Sequence, residues 1–380
     1  MCAAHPRVYL DYNAGAPLAP AARAAMLAAL EQGGNPSSLH FEGRAARQLL
    51  EVARNQVAAL LGAAREDVVF TSGGTEADQL GVVGLAQRAE RQGRVARVVT
   101  SRLEHPAIQG AVDYLVQRRG WERHDLPVSP EGELRLPEGL DAGLVAVAWV
   151  NHELGTVQDV AALASWARRA GALCFVDAVQ AAGKLDLAPA CAVADGVALS
   201  AHKLGGPKGA GALWVRADAA EALPVFAGGH QERGRRPGTE SPVALAGFGA
   251  AAAAVDLAAW PEVCRLGERL ERGLTELAGV RVHGAGGPRV GGTINAGFAG
   301  ALGESVVTAL DLQGFSASTG AACSSGSAQP SPVLLALGRT AEEAREAVRF
   351  SLGLGVDAAA IDALLAALPP VLERARRYRA

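Results

Sequence analysis

Along the first two thirds of the chain, the apolar residues alternate between helical and extended spacing. Apolar positions from 49 to 60 recur at the helical period, Gly62 is placed to end that helix, and the β-rich run Val68–Thr71 follows. The alternation then repeats, with strands predicted at 97–101, 143–151, 172–176, 196–200 and 211–216 and with helices beginning at Pro106 and Val160. Near-continuous apolar strands separated by helices predict a mostly parallel sheet that is covered on both faces.

The pattern changes after about residue 250. A long amphipathic helix is predicted over 260–277, short strands near Val280 and Thr293, and a C-terminal helix from Asp357. These elements predict a second, smaller α+β domain beside the α/β domain. A chain of 380 residues with 49% hydrophobic residues is long enough to bury a core in each.

The charge pattern argues against nucleic-acid and membrane partners. The formal net charge of -3 gives no field that attracts polyanions, so the basic runs 233–236 and 374–379 are predicted to be solvated faces. Residues 2–13 lack the apolar run of a signal peptide, and no uninterrupted apolar segment reaches transmembrane length. These features predict a cytoplasmic protein.

The cysteines do not form a recognisable disulfide or metal pattern. They are five, an odd number, widely spaced and without a CxxC pair: Cys2, Cys174, Cys191, Cys264 and Cys323. Such spacing argues against both a disulfide framework and a structural zinc site, so no metal is expected. Cys174 lies in an apolar strand and is expected to be structural, whereas Cys323 lies among small, polar residues and is a candidate mobile thiol.

Lysine is rare in this chain, which makes each one informative. Lys184, Lys203 and Lys208 are the three lysines, and arginine, which stays protonated, supplies the other strong bases. Lys203 follows the predicted strand 196–200 and precedes a Gly/Pro turn, which predicts a position at the carboxyl edge of the sheet. It is therefore the candidate amine for Schiff-base chemistry, the alternative being an ordinary surface lysine.

Two further segments are candidates for ligand binding. The turn 71–76 joins a predicted strand to a helix, so its amides and the Thr75 hydroxyl could hold a phosphate, although the spacing fits neither the Walker nor the dinucleotide motif. Asp177 ends an apolar strand, where a buried carboxylate needs a partner such as a cationic ring nitrogen. The alternative for Asp177 is a cap on the next turn.

These residues fall within motifs that resemble the cysteine desulfurases, which are pyridoxal-phosphate (PLP) enzymes of the class V aminotransferase group. The matching motifs run in order through nearly the whole chain: VYLDYN (8–13), GNPSS (34–38), TSGGTE (71–76), EH (104–105), DAVQ (177–180), SAHK (200–203), GRRPGT (234–239), the Cys323 loop and RFSLG (349–353). The resemblance implies PLP fold type I, with a mostly parallel seven-stranded sheet. It places the large PLP-binding domain at 16–255 and the small domain, which carries the cysteine loop, at 1–15 and 256–380.

The resemblance also implies how the cofactor is held. Lys203 is expected to form the Schiff base with PLP, Asp177 to pair with the ring nitrogen, and His105 to stack on the ring. Gln180 is expected to bond the phenolic oxygen of the cofactor. The phosphate is expected to be bound by four residues, Gly74, Thr75, Ser200 and His202.

Substrate and partner residues follow from the same resemblance. Arg349 is expected to bind the substrate carboxylate, with Asn13 and His152 beside it, and Thr239 to reach the phosphate of the neighbouring subunit of a homodimer. His152 stands where the family usually has asparagine, so its role and its effect on substrate preference are open. The chain ends at Ala380, where similar housekeeping members continue into a tail that contacts an iron–sulfur scaffold protein, which leaves that partner open as well.

The implied activity is removal of sulfur from L-cysteine, giving L-alanine and a persulfide on Cys323, with Lys203 moving a proton and His105 as a candidate proton donor. The sulfur acceptor, a scaffold or a thiolation enzyme, is not identified. One alternative is a selenocysteine lyase or a small-amino-acid aminotransferase in which Cys323 is incidental. Another is a non-catalytic PLP-binding sulfur carrier.

Overall fold

A computed structural model describes residues 7–217, 227–320 and 329–377 of the chain. The strands, in chain order, are β1 (Val8–Tyr9), β2 (Val68–Thr71), β3 (Arg97–Thr100), β4 (Glu122–Asp125), β5 (Leu144–Ala148), β6 (Leu173–Asp177), β7 (Gly196–Ser200), β8 (Gly211–Val215), β9 (Val280–His283), β10 (Thr293–Phe298), β11 (Phe315–Ser316) and β12 (Ala347–Ser351). The helices are α1 (Pro20–Leu30), α2 (Phe41–Leu61), α3 (Gly74–Arg91), α4 (Pro106–Arg119), α5 (Val160–Arg169), α6 (Ala188–Val193), α7 (Pro242–Ala253), α8 (Trp260–Thr275), α9 (Gly303–Leu312), α10 (Pro332–Ala336), α11 (Ala341–Arg345) and α12 (Ala358–Arg377).

The largest sheet has seven strands in the order β2-β8-β7-β6-β5-β3-β4. β8 pairs antiparallel with both of its neighbours, and the other pairs are parallel. Every residue of β5, β6, β7 and β8 is buried, because helices cover both faces. The expectation of a mostly parallel, seven-stranded sheet is therefore confirmed.

Most predicted elements are present, and their bounds differ by a few residues. α2 ends at Gly62, which has φ of 61° and can adopt this left-handed conformation without the steric cost that a side chain would add. β5 is shorter than the predicted strand 143–151, because the Asn151 N–H donates to Thr156 O at 2.9 Å and turns the chain back on itself. Among the strands of the two larger sheets, the sequence pattern missed β4 and β12, of which β4 is the polar edge strand ERHD.

A second hydrophobic core lies around the three-stranded antiparallel sheet β12-β10-β9. The amphipathic helix α8 and the C-terminal α12 pack on this core, and α8 ends two residues before the predicted end at Leu277. The chain start joins the same part of the molecule, since β1 pairs with β11 and Leu10 is fully buried in this core. The division into domains at 16–255 and at 1–15 with 256–380 stays a prediction.

The basic run 233–236 is not the solvated face that the charge pattern predicted. Arg235 is half-buried and donates to Glu66 O at 2.6 Å, and Arg236 pairs with Glu76 at 2.6 Å. The preceding Glu232 is buried and accepts two bonds of 2.7 Å from Arg54. These bonds tie the loop that precedes Thr239 to α2, to the turn before β2 and to the first turn of α3.

Among the residues that the structure describes, no single helix is both long and apolar enough to cross a membrane, and only the bent pair Pro242–Ala253 and Leu257–Thr275 passes on length and composition.

Candidate active site

The carboxyl ends of the parallel strands open into a cavity of about 960 Å³. Eleven of the residues predicted from the sequence line it: Asn13, Gly74, Thr75, His105, His152, Asp177, Gln180, Ser200, His202, Lys203 and Arg349. Thr239 is exposed and does not line this cavity. Cys323 lies outside the described residues. The structure thus brings together the candidate cofactor and substrate residues that it describes, with Thr239 as the exception.

One end of the cavity is built as an anion cradle. α3 begins at Gly74, so the N–H groups of Gly74 and Thr75 have no partner within the helix, and the helix dipole favours negative charge there. A Cβ added at Gly74 would lie 2.9 Å from Val179 Cγ2 and 3.3 Å from Ser200 Cβ, so only glycine permits this close approach. The cradle therefore suits a phosphate group.

The strand end next to the cradle adds two polar side chains. A single turn of 3-10 helix, Ala201–Lys203, follows β7 directly, and it brings Ser200 Oγ within 2.8 Å of His202 Nδ1. Burial and the neighbouring lysine ammonium groups lower the pKa of His202 to about 4, so its ring is neutral at physiological pH. One hydrogen of the pair is used in the bond between them, so the pair has one neutral hydrogen-bond donor left for an anion.

Lys203 is the lysine that lines the cavity; Lys184 and Lys208 do not. Its Nζ donates to Asn13 O at 2.5 Å and to Ala14 O at 3.1 Å. Burial and the positive charge of Arg349 lower its pKa to about 8. A larger share of this amine is therefore neutral, and able to attack a carbonyl, than for an exposed lysine at the same pH.

Asp177 ends β6 as predicted and is buried. Its Oδ1 accepts from the Val179 N–H at 2.8 Å, so it does cap the following turn, while Oδ2 makes no hydrogen bond to any residue that the structure describes. Burial raises its pKa above the usual range. A cation placed against the free oxygen would reverse that effect, as a protonated ring nitrogen would.

His105 contacts both the start of α4 and the ring of His152. It is the N-cap of α4, and its Nδ1 accepts from the Ala107 N–H at 3.1 Å, which assigns the proton of the neutral ring to Nε2. Its ring meets that of His152 edge to face, with centroids 5.3 Å apart. Burial lowers the pKa of His105 to about 4, and burial and nearby cations hold the pKa of His152 well below its usual range.

Arg349 reaches the cavity from the middle of β12 rather than from a strand end. Its guanidinium pairs with Asp11 at 2.8 Å through Nη2 and donates to His152 O at 3.1 Å through Nη1. Its Nε is buried without a partner in the described part of the chain. A substrate carboxylate would therefore meet an arginine whose position is already fixed by protein bonds.

Glu104 and Asp78 are two of the buried carboxyl groups of the site that have no role in the sequence interpretation. Glu104 accepts from Ser101 Oγ and from the Ala148 N–H, both at 2.6 Å, and burial raises its pKa to about 8. Asp78 is buried in α3, and burial beside Asp177 and Glu104 raises its pKa well above the usual range. Sequence reasoning could have flagged Glu104 by its place beside His105, but Asp78 has no local signal.

Comparisons with known proteins agree on one family. The family described as Aminotransferase class-V matches residues 8–364. The chain is 42% identical over 379 residues to a cysteine desulfurase of Cereibacter sphaeroides and 39% identical over 382 residues to an IscS-like cysteine desulfurase of Mycobacterium tuberculosis, covering 97% of each chain in both cases. The chain belongs to the cysteine desulfurase family, within the class-V aminotransferases.

Solved structures give the same grouping. A NifS-like protein superposes with a TM-score of 0.86 at 28% identity, covering 97% of this chain and 99% of that one. A structure described as SspA in complex with cysteine has a TM-score of 0.78 at 29% identity, covering 90% of this chain and 98% of that one. The expected fold of this cysteine desulfurase family member, PLP fold type I, is therefore confirmed.

Proposed function

We propose that this chain removes sulfur from L-cysteine with PLP held on Lys203, and that it leaves L-alanine and a persulfide on Cys323. The observation that carries the proposal is that one cavity is lined by both a half-buried amine of lowered pKa, Lys203, and a buried carboxyl group, Asp177. Family membership supports the same reaction.

The residues around the cavity fit PLP. The first turn of α3, with Ser200 and His202, offers hydrogen-bond donors that suit the phosphate, and the free oxygen of Asp177 suits a protonated ring nitrogen. Gln180 lines the same space and suits the phenolic oxygen. PLP, when bound, supplies an electron sink that acidifies the α-proton of an amino acid.

The chain's own residues would bind the substrate and move its protons. Arg349, beside Asn13 and His152, holds the carboxylate of the amino acid, because a guanidinium fork matches that group. Lys203 Nζ, whose pKa is lowered to about 8 by burial and Arg349, takes the α-proton as a base. His105 carries a proton at Nε2 and is the nearby donor for the product carbon.

Cys323 would accept the sulfur. Its thiolate attacks the sulfur of the substrate, so an S–S bond forms as the substrate C–S bond breaks. The electron pair of the C–S bond and one proton go to the methyl carbon of alanine, and the products are alanine and the Cys323 persulfide. The step needs no external oxidant or reductant. Transfer of that sulfur then requires a thiol acceptor, for which we propose a scaffold or thiolation protein in the cytoplasm.

We also propose that two copies of the chain form the working unit. Large apolar side chains are exposed on α1 and at the start of α2: Leu27 at 47%, Leu30 at 63%, Leu39 at 89% and Phe41 at 71%. Their burial against a second copy would be favourable. Thr239, exposed and outside the cavity of its own chain, would then reach the phosphate bound in the other copy.

The test of the reaction is the variant Cys323→Ala, with Cys264→Ala as the matched control. Cys264 is a half-buried thiol that faces Val290 O at 3.5 Å, and its loss should leave turnover nearly unchanged. We expect Cys323→Ala to bind PLP and cysteine, to acquire no persulfide by mass spectrometry, and to form alanine roughly 10³-fold more slowly.

Other outcomes identify the alternatives. Alanine and sulfide released at the wild-type rate by Cys323→Ala would show a lyase that does not use this thiol. Exchange of the amino group with added keto acids would show an aminotransferase. Bound cofactor without any turnover of cysteine would show a sulfur carrier.

A further inference from the structure

Lys184 lies beside the cavity without lining it, and the reaction proposed above does not use it. It follows Gln180 by one turn, and its Nζ donates to Gln180 Oε1 at 3.0 Å and to Asn13 Oδ1 at 2.8 Å. The ring centroid of Trp260 is 5.8 Å from the same nitrogen. Lys184 therefore contacts the site through two side-chain amides that do line the cavity.

The chemistry of an ammonium group determines which way these amides face. An ammonium has three donors and no acceptor, so both amides must turn their oxygen atoms toward Lys184. The nitrogen atoms then face the opposite way. Gln180 Nε2 donates to Asn13 O at 2.9 Å, and its second N–H makes no hydrogen bond to any residue that the structure describes.

The Asn13 amide continues the network toward the substrate side. Its Nδ2 donates to Thr293 Oγ1 and to His152 O, both at 3.1 Å. His152 O is also the atom that receives the Arg349 guanidinium at 3.1 Å. The Lys184 ammonium thus orients Gln180, which is the candidate partner of the cofactor ring. It also orients Asn13, which shares His152 O with the candidate substrate arginine, Arg349.

We propose that Lys184 in its ammonium form is a positioning residue that fixes the Gln180 and Asn13 amides, so that a Gln180 N–H faces the phenolic oxygen of the cofactor. The inference rests on the proposed function, since it assigns that N–H to PLP.

A packing role alone does not explain a lysine at this position. Its ammonium makes no ion pair with a carboxylate of the described residues, and burial, together with the charges of Lys203 and Arg349, lowers its pKa to about 7. Burying a charge in this way is costly, whereas methionine would fill similar space at no electrostatic cost. The presence of lysine, in spite of its electrostatic cost, indicates that the N–H donors of Lys184 have a function.

The test compares Lys184→Met with Lys184→Arg, which keeps the charge and the donors, and with Lys208→Met, which removes an exposed lysine. For each cofactor-loaded protein the absorbance is titrated against pH. The midpoint of this titration is the pKa of the linkage between Lys203 and the cofactor. Loss of an N–H donor to the ring oxygen and loss of a nearby positive charge both raise that pKa. We expect the midpoint to rise by about one pH unit in Lys184→Met, and to stay near the wild-type value in the other two variants.

A double-mutant cycle isolates the route through the amide. In a Gln180→Ala background, Lys184→Met should move the midpoint by less than half as much, because the group that Lys184 orients is gone. An unchanged midpoint in Lys184→Met, or an equal shift in Lys184→Arg, would overturn the inference.

Failure of the proposed function has a different signature. Borohydride reduction of the wild-type protein that leaves no pyridoxyl group on Lys203 would remove that function and not the positioning role. Neutron crystal structures of cofactor-free wild type and of Lys184→Met then decide, because they distinguish the nitrogen of an amide from its oxygen. They also serve if Lys184→Met binds the cofactor poorly. A Gln180 nitrogen still 2.9 Å from Asn13 O in the variant would contradict the inference, and a rotated amide would support it.

Discussion

The two walls of the cavity are built in different ways. On the wall from the seven-stranded sheet, the reactive groups stand at strand ends: Asp177 is the last residue of β6, and Lys203 lies three residues after the end of β7. On the wall from the three-stranded sheet, Arg349 is the central residue of β12, between buried neighbours on both sides. Strand ends leave side chains free to meet a ligand, whereas a mid-strand side chain is held by its sheet.

This difference suggests a division of tasks. The strand-end wall carries groups whose charge state must change or be tuned, namely an amine with a pKa lowered to about 8 by burial and Arg349, and a carboxyl with a raised pKa. The mid-strand wall carries a permanently charged group that is fixed by Asp11 and His152 O. Changes on the first wall should therefore affect cofactor and turnover, and changes on the second should affect substrate affinity.

The largest effect is expected from Lys203→Ala. Without the amine no covalent linkage to PLP can form, so cofactor absorbance should be lost after gel filtration and turnover should fall by roughly 10⁴-fold. Borohydride reduction and peptide mapping locate the linkage, with Lys208→Ala as the control. A reduced pyridoxyl group on Lys184 or Lys208 of the wild-type protein would show that the wrong lysine was assigned.

Asp177→Asn should keep the cofactor but reduce turnover by roughly 10²-fold, because a neutral amide no longer favours a protonated ring nitrogen. Steady-state kinetics measure this. Asp195→Asn is the matched control: Asp195 is buried just before the other end of β7, where it accepts from the Cys174 N–H at 2.7 Å. Near-normal turnover in Asp177→Asn would show that Asp177 serves only to cap the turn that follows it.

Arg349→Lys tests the second wall. A lysine keeps the charge but loses the fork that reaches Asp11 and His152 O, so KM for L-cysteine should rise roughly tenfold while kcat changes less. Arg281→Lys, on the exposed side of the same sheet and paired with Glu343 at 2.9 Å, should leave both constants unchanged. A fall in kcat with constant KM would contradict the assigned role.

The smallest effect concerns pH. Since burial and Arg349 lower the pKa of Lys203 to about 8, reloading of cofactor-free protein with PLP should speed up about fivefold from pH 7 to pH 8 and less than twofold from pH 8 to pH 9. A free lysine side chain would continue to gain reactivity up to about pH 10.4. Stopped-flow absorbance measures the rate, with N-acetyl-lysine as reference, and a rate still rising at pH 10 would contradict the lowered pKa.

The contrast between the walls also explains what sequence reasoning could find. Asp177 and Lys203 follow apolar runs, so the pattern itself predicts that they lie at one sheet edge. Arg349 interrupts an apolar strand, and only the family resemblance suggested a role for it. Lys184 lies outside the motifs that carry the resemblance, although its rarity as a lysine in an apolar stretch is a usable signal.

The remaining misses depend on contacts between distant segments. Asp78, Glu104 and Asp177 come from three separate parts of the chain, and their mutual effect on pKa arises only after the sheet brings them together. The early end of β5 likewise depends on a hydrogen bond between Asn151 and Thr156 that no periodicity reveals. Local patterns predict elements and their edges, while shared burial has to be seen in three dimensions.

The capping bond of His105 couples a helix to the chemistry beside it. Because Nδ1 accepts from the Ala107 N–H, a proton arriving at that nitrogen would break the cap, and the start of α4 would be destabilised by about 1 kcal/mol. Since burial and Lys203 lower the pKa of His105 to about 4, folded protein resists this proton, and the corresponding stability is lost as pH falls from 6.5 toward 4. Acidification would then loosen the helix and disable the imidazole in a single event, so the fold itself sets the lower pH limit of the site.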